Sequence, residues 1–128
     1  MRRLMQTTMT MTAAWRCSGP PGARGWFPSP VIAEVCYLLE RERGSEVEAA
    51  FLRSFGRREM TLAPLTTEDT DRMAELVETY ASLDLGGVDA AVIAIAERLN
   101  VATVATLDRR DFTVVRPRHV KALTLIPE

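Results

Sequence analysis

A chain of 128 residues with 47% hydrophobic composition has the length of one domain, enough to bury a single core and too short for two. Its formal net charge of -1 excludes a nucleic-acid binder held by global basic charge, so contact with a polyanion would have to come from a local patch. The average hides a split: residues 1–30 carry Arg2, Arg3, Arg16 and Arg24 and no acid, a charge of +4, which leaves -5 for residues 31–128.

The start, MRRLMQTTMTMTAAW, is too rich in Gln and Thr to supply a secretory apolar segment, and no stretch approaches the roughly 18 apolar residues of a membrane span. A cytoplasmic protein without a membrane partner is expected. The acid-free N-terminus overlaps in composition with organelle transit peptides but lacks their regular amphipathic pattern. Cys17 and Cys36 share no spacing with a zinc site. Cys36 lies in an apolar run, where a free thiol acts as a small core hydrophobe.

Residues 1–28 show no sustained periodicity and are expected to be an irregular or disordered N-terminal segment, in which only Trp26 and Phe27 look able to join a core or a short strand. Residues 29–128 form the expected domain. Ser29 and Pro30 suit the cap and first turn of a helix through VIAEVCYLLERER, which stops near Gly44. Ser45 then caps a second helix, with Val47, Ala50, Phe51 and Phe55 on its buried side and Arg53, Arg57 and Arg58 on its wet side. MTLAP (60–64) reads as a short strand closed by Pro64. TTED (66–69) is a cap signal opening a long amphipathic helix through Met73, Leu76, Val77 and Tyr80. Gly86 and Gly87 break it.

The next run, VDAAVIAIAERL, is apolar on nearly every face until Glu97 and Arg98, the pattern of a central helix packed on most sides. ATVATL (102–107) follows as a buried strand, DRRDF as a turn and ALTLI (122–126) as a final strand. Helices alternating with short apolar strands imply an α/β fold with a parallel sheet covered by helices.

The sequence has no GxxxxGK phosphate loop, GxGxxG, HExxH or paired CxxC. His119 is the sole histidine, and its RPRHVK setting reads as an exposed basic loop and not as a catalytic base. What remains is a set of acids in costly places. Glu34 falls at the margin of the apolar arc of Val31, Val35, Leu38 and Leu39, where a carboxylate needs a cation or hydrogen-bond donors. An ion pair with Arg41 or Arg98 would serve as well as a bound metal. Asp89 opens the nearly all-apolar helix, where capping is the commoner role of Asp, although a carboxylate can both cap and bind and the helix dipole favours its charge. Asp108 directly follows a strand, at the end where ligands collect in open α/β sheets, and is equally readable as a turn residue. Asp111 shares that turn and competes for either role; Asp84 is a weaker candidate. Oxygen donors without histidine or thiolate suit Mg²⁺ or Mn²⁺. Arg109, Arg110, Arg116, Arg118 and Lys121 could hold a polyanion backbone, or form a solvated loop.

Taken in order, SPVIAEVCYLL, LGGVDAAVIAIAERL and VATLDRRDF followed by VRPRHV resemble the PIN-domain ribonucleases, in particular the VapC toxins of VapBC toxin-antitoxin pairs, over about residues 29–128. The resemblance implies a PIN-like α/β/α sandwich with Glu34, Asp89 and Asp108 as catalytic carboxylates that bind Mg²⁺ or Mn²⁺, and an RNA phosphodiester as substrate. It also implies a homodimer and a cognate antitoxin packed across hydrophobic helices. The chain departs from the family pattern at its start. The first strand, of the type hhhDxS/T with h apolar, and its metal-binding Asp have no counterpart, since no Asp precedes Asp69. The composition of residues 1 to about 27 suggests a shifted reading frame or misassigned start. Two other readings stand beside the toxin: a degenerate, catalytically inactive PIN-like module that binds antitoxin or RNA, and an α/β domain unrelated to nucleases.

Overall fold

The computed structural model describes residues 26–58, 60–105 and 110–126. The expectations for residues 1–25, including the reading-frame hypothesis, lie outside them. Strand β1 (Trp26–Pro28) is built on the two aromatic residues expected to reach a core. Phe27 is fully buried. Its ring meets those of Phe51 and Phe55 edge-on, with centroids 5.5 and 5.4 Å away, the arrangement that aligns ring edges with electron-rich faces.

Helix α1 (Ser29–Glu42) starts one residue earlier than a Ser29 cap would place it. Pro28 takes the cap position, and the Ser29 hydroxyl instead accepts the Leu65 N–H across the fold. Val31, Val35 and Leu38 form its buried stripe. The helix ends where Arg43 and Gly44 both donate their N–H groups to the Leu39 carbonyl. Gly44 has φ +88°, a region that favours glycine. Helix α2 (Ser45–Gly56) follows with Gly44, not Ser45, at its N-cap. No residue of α2 is fully buried, and Val47 and Ala50 of the expected inner side are exposed. The helix packs on α1 and reaches the core only through half-buried Phe51 and Phe55, so its first turns have little to cover them.

Strand β2 (Thr61–Ala63) lies parallel to β1, so α1 and α2 form the crossover that a parallel pair requires. Helix α3 (Thr67–Thr79) opens with a complete capping box. The Asp69 N–H donates to Thr66 Oγ1 at 3.2 Å, and the Thr66 N–H donates to Asp69 Oδ2 at 3.0 Å. Replacing Thr66 with Ala should lower stability by about 1 kcal/mol, read as a lower urea midpoint with an unchanged slope. Leu76 enters the core while Val77, expected beside it, is exposed. The inward arc is instead Met73, Leu76 and Tyr80, at intervals of three and four residues that leave Val77 turned a quarter of the way round the helix.

Helix α4 (Gly87–Leu99) is buried continuously from Asp89 to Ala96, as expected of the central helix. It packs most extensively on α3, and Arg98 near its end donates through Nε to Asp69 at 3.1 Å and through Nη2 to the Pro64 carbonyl. Strands β3 (Thr103–Ala105) and β4 (Thr124–Ile126) pair in parallel, Val104 opposite Leu125. Between them Arg110–Val114 forms a short helix, α5, where a turn was expected. Phe112 and Val115, three residues apart and both buried, can enter the core together only if the segment completes a helical turn. Among the described residues the strands form two separate parallel pairs, β1 with β2 and β3 with β4. The architecture is the expected α/β sandwich of helices on short parallel strands.

Candidate active site

Asp89 is the third residue of α4, with Gly86 at the N-cap, so the expected cap role passes to glycine. Its side chain is nevertheless 9% exposed, inside the first turn where the helix dipole favours negative charge. Glu34 is half-buried at mid-helix in α1, beside Val31, Val35 and Leu38, as the wheel implied. Of the two arginines expected as its alternative partners, Arg98 is joined to Asp69 and Arg41 faces Glu42 with Nε and Oε1 3.9 Å apart. Helix α1 packs on α4, which puts the elements bearing Glu34 and Asp89 in contact.

Asp108 and Arg109 lie outside the described residues. Asp111, the second residue of α5, is 4% exposed, a burial that the turn reading did not anticipate. DRRDF looked like a solvated turn, and the signal that could have raised Asp111 is Phe112 beside it, a core residue that draws its neighbour inward. Among the described residues no three histidine, cysteine or acidic side chains stand close enough to hold a metal ion.

Asp89 and Asp111 are both buried carboxylates. Neither histidine nor cysteine contributes to the set, and the one described cysteine, Cys36, is half-buried between hydrophobic neighbours on α1. Burial, reinforced by the charge of Glu48, pushes its thiol above the ordinary range, the opposite of an activated thiolate. Carboxylate oxygens suit a hard divalent cation by donor type, but Glu34, Asp89 and Asp111 do not stand together as a set that could hold one.

Of the basic loop, Arg110, Arg116, Arg118 and Lys121 are exposed. Two of them also build the loop itself. Arg116 Nη1 donates to the Thr113 carbonyl at 2.6 Å, and Arg118 Nη2 meets Glu75 Oε2 at 2.5 Å. His119, expected on the surface, is half-buried with Nε2 2.6 Å from the Val101 carbonyl. It fastens the loop to the start of the β3 segment. Sequence reading also missed Glu97, whose carboxylate receives Nε and Nη2 of Arg72 at 2.7 and 2.8 Å. Burial alone would raise the Glu97 carboxyl, but hydrogen bonds from Arg72 and from the Arg118 N–H outweigh it and hold the group below its usual range.

A protein-family model described as PIN domain matches residues 9–116, reaching well before Ser29. The curated Ribonuclease VapC26 of Mycobacterium tuberculosis (strain ATCC 25618 / H37Rv) is 34% identical over 97 residues, which cover 76% of this chain and 72% of that protein. Among solved structures, the crystal structure of VapC20 of Mycobacterium tuberculosis, described as a sarcin-ricin loop cleaving toxin, superposes with a TM-score of 0.65. The identity is 19%, and the match covers 81% of this chain and 78% of that one; at this identity the likeness bears on fold. No helix among the described residues is long and apolar enough to cross a membrane.

Proposed function

From the premise that this chain belongs to the PIN-domain family, we propose that it is a metal-dependent endoribonuclease of the VapC type, the toxin of a type II toxin-antitoxin pair. The observation that carries the reading is the burial of two carboxylates, Asp89 and Asp111, on the helices that precede and follow β3 in the chain. Buried charge needs donors or a cation around it; both acids have polar partners in the fold, and the family match is what supports a metal beside them. The family match sets aside the α/β domain unrelated to nucleases, and the likeness to a protein named as a ribonuclease supports cutting over an inert module.

In this reading Glu34, Asp89 and Asp108 hold the ion, Mg²⁺ or Mn²⁺, and Asp111, close behind Asp108 in the chain, competes for its place. When bound, the ion supplies an acidified water and offsets charge developing on a phosphoryl group. The protein's own part is to fix the carboxylates. Asp89 is held by a helix buried along eight consecutive residues, and Glu34 by a helix anchored through Val31 and Val35. Arg109, Arg110, Arg116 and Arg118, with Lys121 beside them in sequence, would supply positive charge toward backbone phosphates. A cytoplasmic homodimer restrained by a cognate antitoxin completes the reading.

Purified protein incubated with Mn²⁺ and single-stranded RNA tests it. Cleavage that disappears in the Asp89→Asn, Asp108→Asn double variant is the expected result; cleavage indifferent to both substitutions would count against the site. A wild-type protein that binds RNA without cutting it would favour the inert module.

A further inference from the structure

The segment after Asp111 is tied down at four points, to Tyr80, Glu97, Glu75 and Val101, none of which has a role in the nuclease reading. The Arg116 N–H donates to the Tyr80 hydroxyl at 2.9 Å. The Arg118 N–H donates to Glu97 Oε2 at 2.9 Å, and the Arg118 side chain pairs with Glu75. His119 is fastened to Val101. Glu97 sits at the centre of this arrangement. Its carboxylate, 9% exposed, binds Arg72 through both oxygens, and Arg72 reaches on to Glu75 at 3.2 Å. Arg72, Glu75, Glu97 and Arg118 therefore form a closed ring that joins α3, the end of α4 and the loop leading to β4.

The ring bears on the site through chain connectivity. Asp111 and Phe112 lie on α5, Val115 is buried one residue before Arg116, and α5 has only five residues, too few to hold its own place in water. Phe112 and Val115 on one side and the clamped 116–119 segment on the other help to set its position. Bidentate Arg-carboxylate pairs fix orientation as well as distance, and the Glu97 carboxylate accepts a third hydrogen bond from a backbone N–H of this segment.

We propose that Glu97 is a positioning residue, which through the Arg118 N–H and the ring with Arg72 and Glu75 holds the 110–119 segment and so sets the place of Asp111, the acid that competes with Asp108 for the ion in the nuclease reading. The link to the site rests on the nuclease reading; the clamp on the segment does not.

Amide hydrogen exchange on the full chain, with Mn²⁺ titration and RNA turnover alongside, tests both parts. Glu97→Ala should raise exchange of the 111–119 amides about tenfold, the size expected from losing charge-assisted hydrogen bonds, with exchange in α1 little changed. It should weaken Mn²⁺ binding and lower turnover by about tenfold or more with little change in KM, since small misplacements of a reacting group are costly. Glu97→Gln keeps an acceptor for the Arg118 N–H and should recover a large part of both effects. Tyr80→Phe, which removes one tie and keeps the ring packing, should give a smaller change in the same amides if Glu97→Ala does not fold. Unchanged exchange at 111–119 in folded Glu97→Ala or in Tyr80→Phe would overturn the clamp. Raised exchange with unaltered Mn²⁺ affinity and turnover would overturn its link to the site. A wild-type protein that neither binds Mn²⁺ nor cuts RNA would overturn the nuclease reading and that link with it, while the exchange result still decides the clamp.

Discussion

Asp89→Asn alone is expected to lower RNA cleavage by at least about a hundredfold while the protein stays folded, its thermal midpoint moved by no more than about a few degrees. The size follows from the several kcal/mol that a metal ion supplies to a developing phosphoryl charge, with about 1.4 kcal/mol for each factor of ten. Asn is nearly the same size as Asp, so the packing around the first turn of α4 is preserved and only the charge is lost. A purely structural Asp89 would behave in the opposite way. Losing its favourable placement near the helix dipole would cost about 0.3–1 kcal/mol of stability and leave turnover per folded molecule unchanged. Gly86 occupies the N-cap, so Asp89 does not serve as the cap residue itself. Steady-state cleavage of a single-stranded RNA, set beside a melting curve, separates the two outcomes.

Phe27→Ala is expected to be the most destabilising single truncation of the aromatic core, at about 3–5 kcal/mol. Phe27 has no exposed surface, and both of its ring partners, Phe51 and Phe55, come from α2, a helix with no fully buried residue of its own. Removing the ring therefore creates a cavity and also releases the main apolar hold on α2. Against a total stability of about 5–15 kcal/mol for a domain of this kind, such a loss populates the unfolded state. Chemical denaturation should show the midpoint falling with an unchanged slope. Leu52→Ala, on the exposed side of α2, should change stability by less than about 0.5 kcal/mol.

Elements with a strong local signal were legible in the sequence. The Thr66 to Asp69 capping box, the stop at Gly44 and the all-apolar α4 each follow from backbone requirements that a few neighbouring residues satisfy by themselves. The errors lie where tertiary contacts decide. Val47 and Ala50 have the right spacing for an inner face, but α2 meets the core only through its later aromatics. DRRDF has turn composition, yet Phe112 and Val115 draw it into a helix. The ring of Arg72, Glu75, Glu97 and Arg118 joins residues from 72 to 118, and no local pattern announces a partner so far along the chain. His119 was misjudged for the same reason, since the carbonyl it meets belongs to Val101. Of the carboxylate set, Glu34 and Asp89 were readable as acids in apolar surroundings. The burial of Asp111 was not, because it depends on α5 being a helix.

The claim on which the functional account depends is that carboxylates from separate segments share one divalent ion. Calorimetric titration of Mn²⁺ into the wild-type protein and into Asp89→Asn and Asp108→Asn measures this without reference to any RNA. Saturable binding at one site is expected in the wild type, weakened by at least about tenfold in each variant, since even partners outside the ligand shell have effects of that size. Binding of equal strength in all three proteins would contradict that claim.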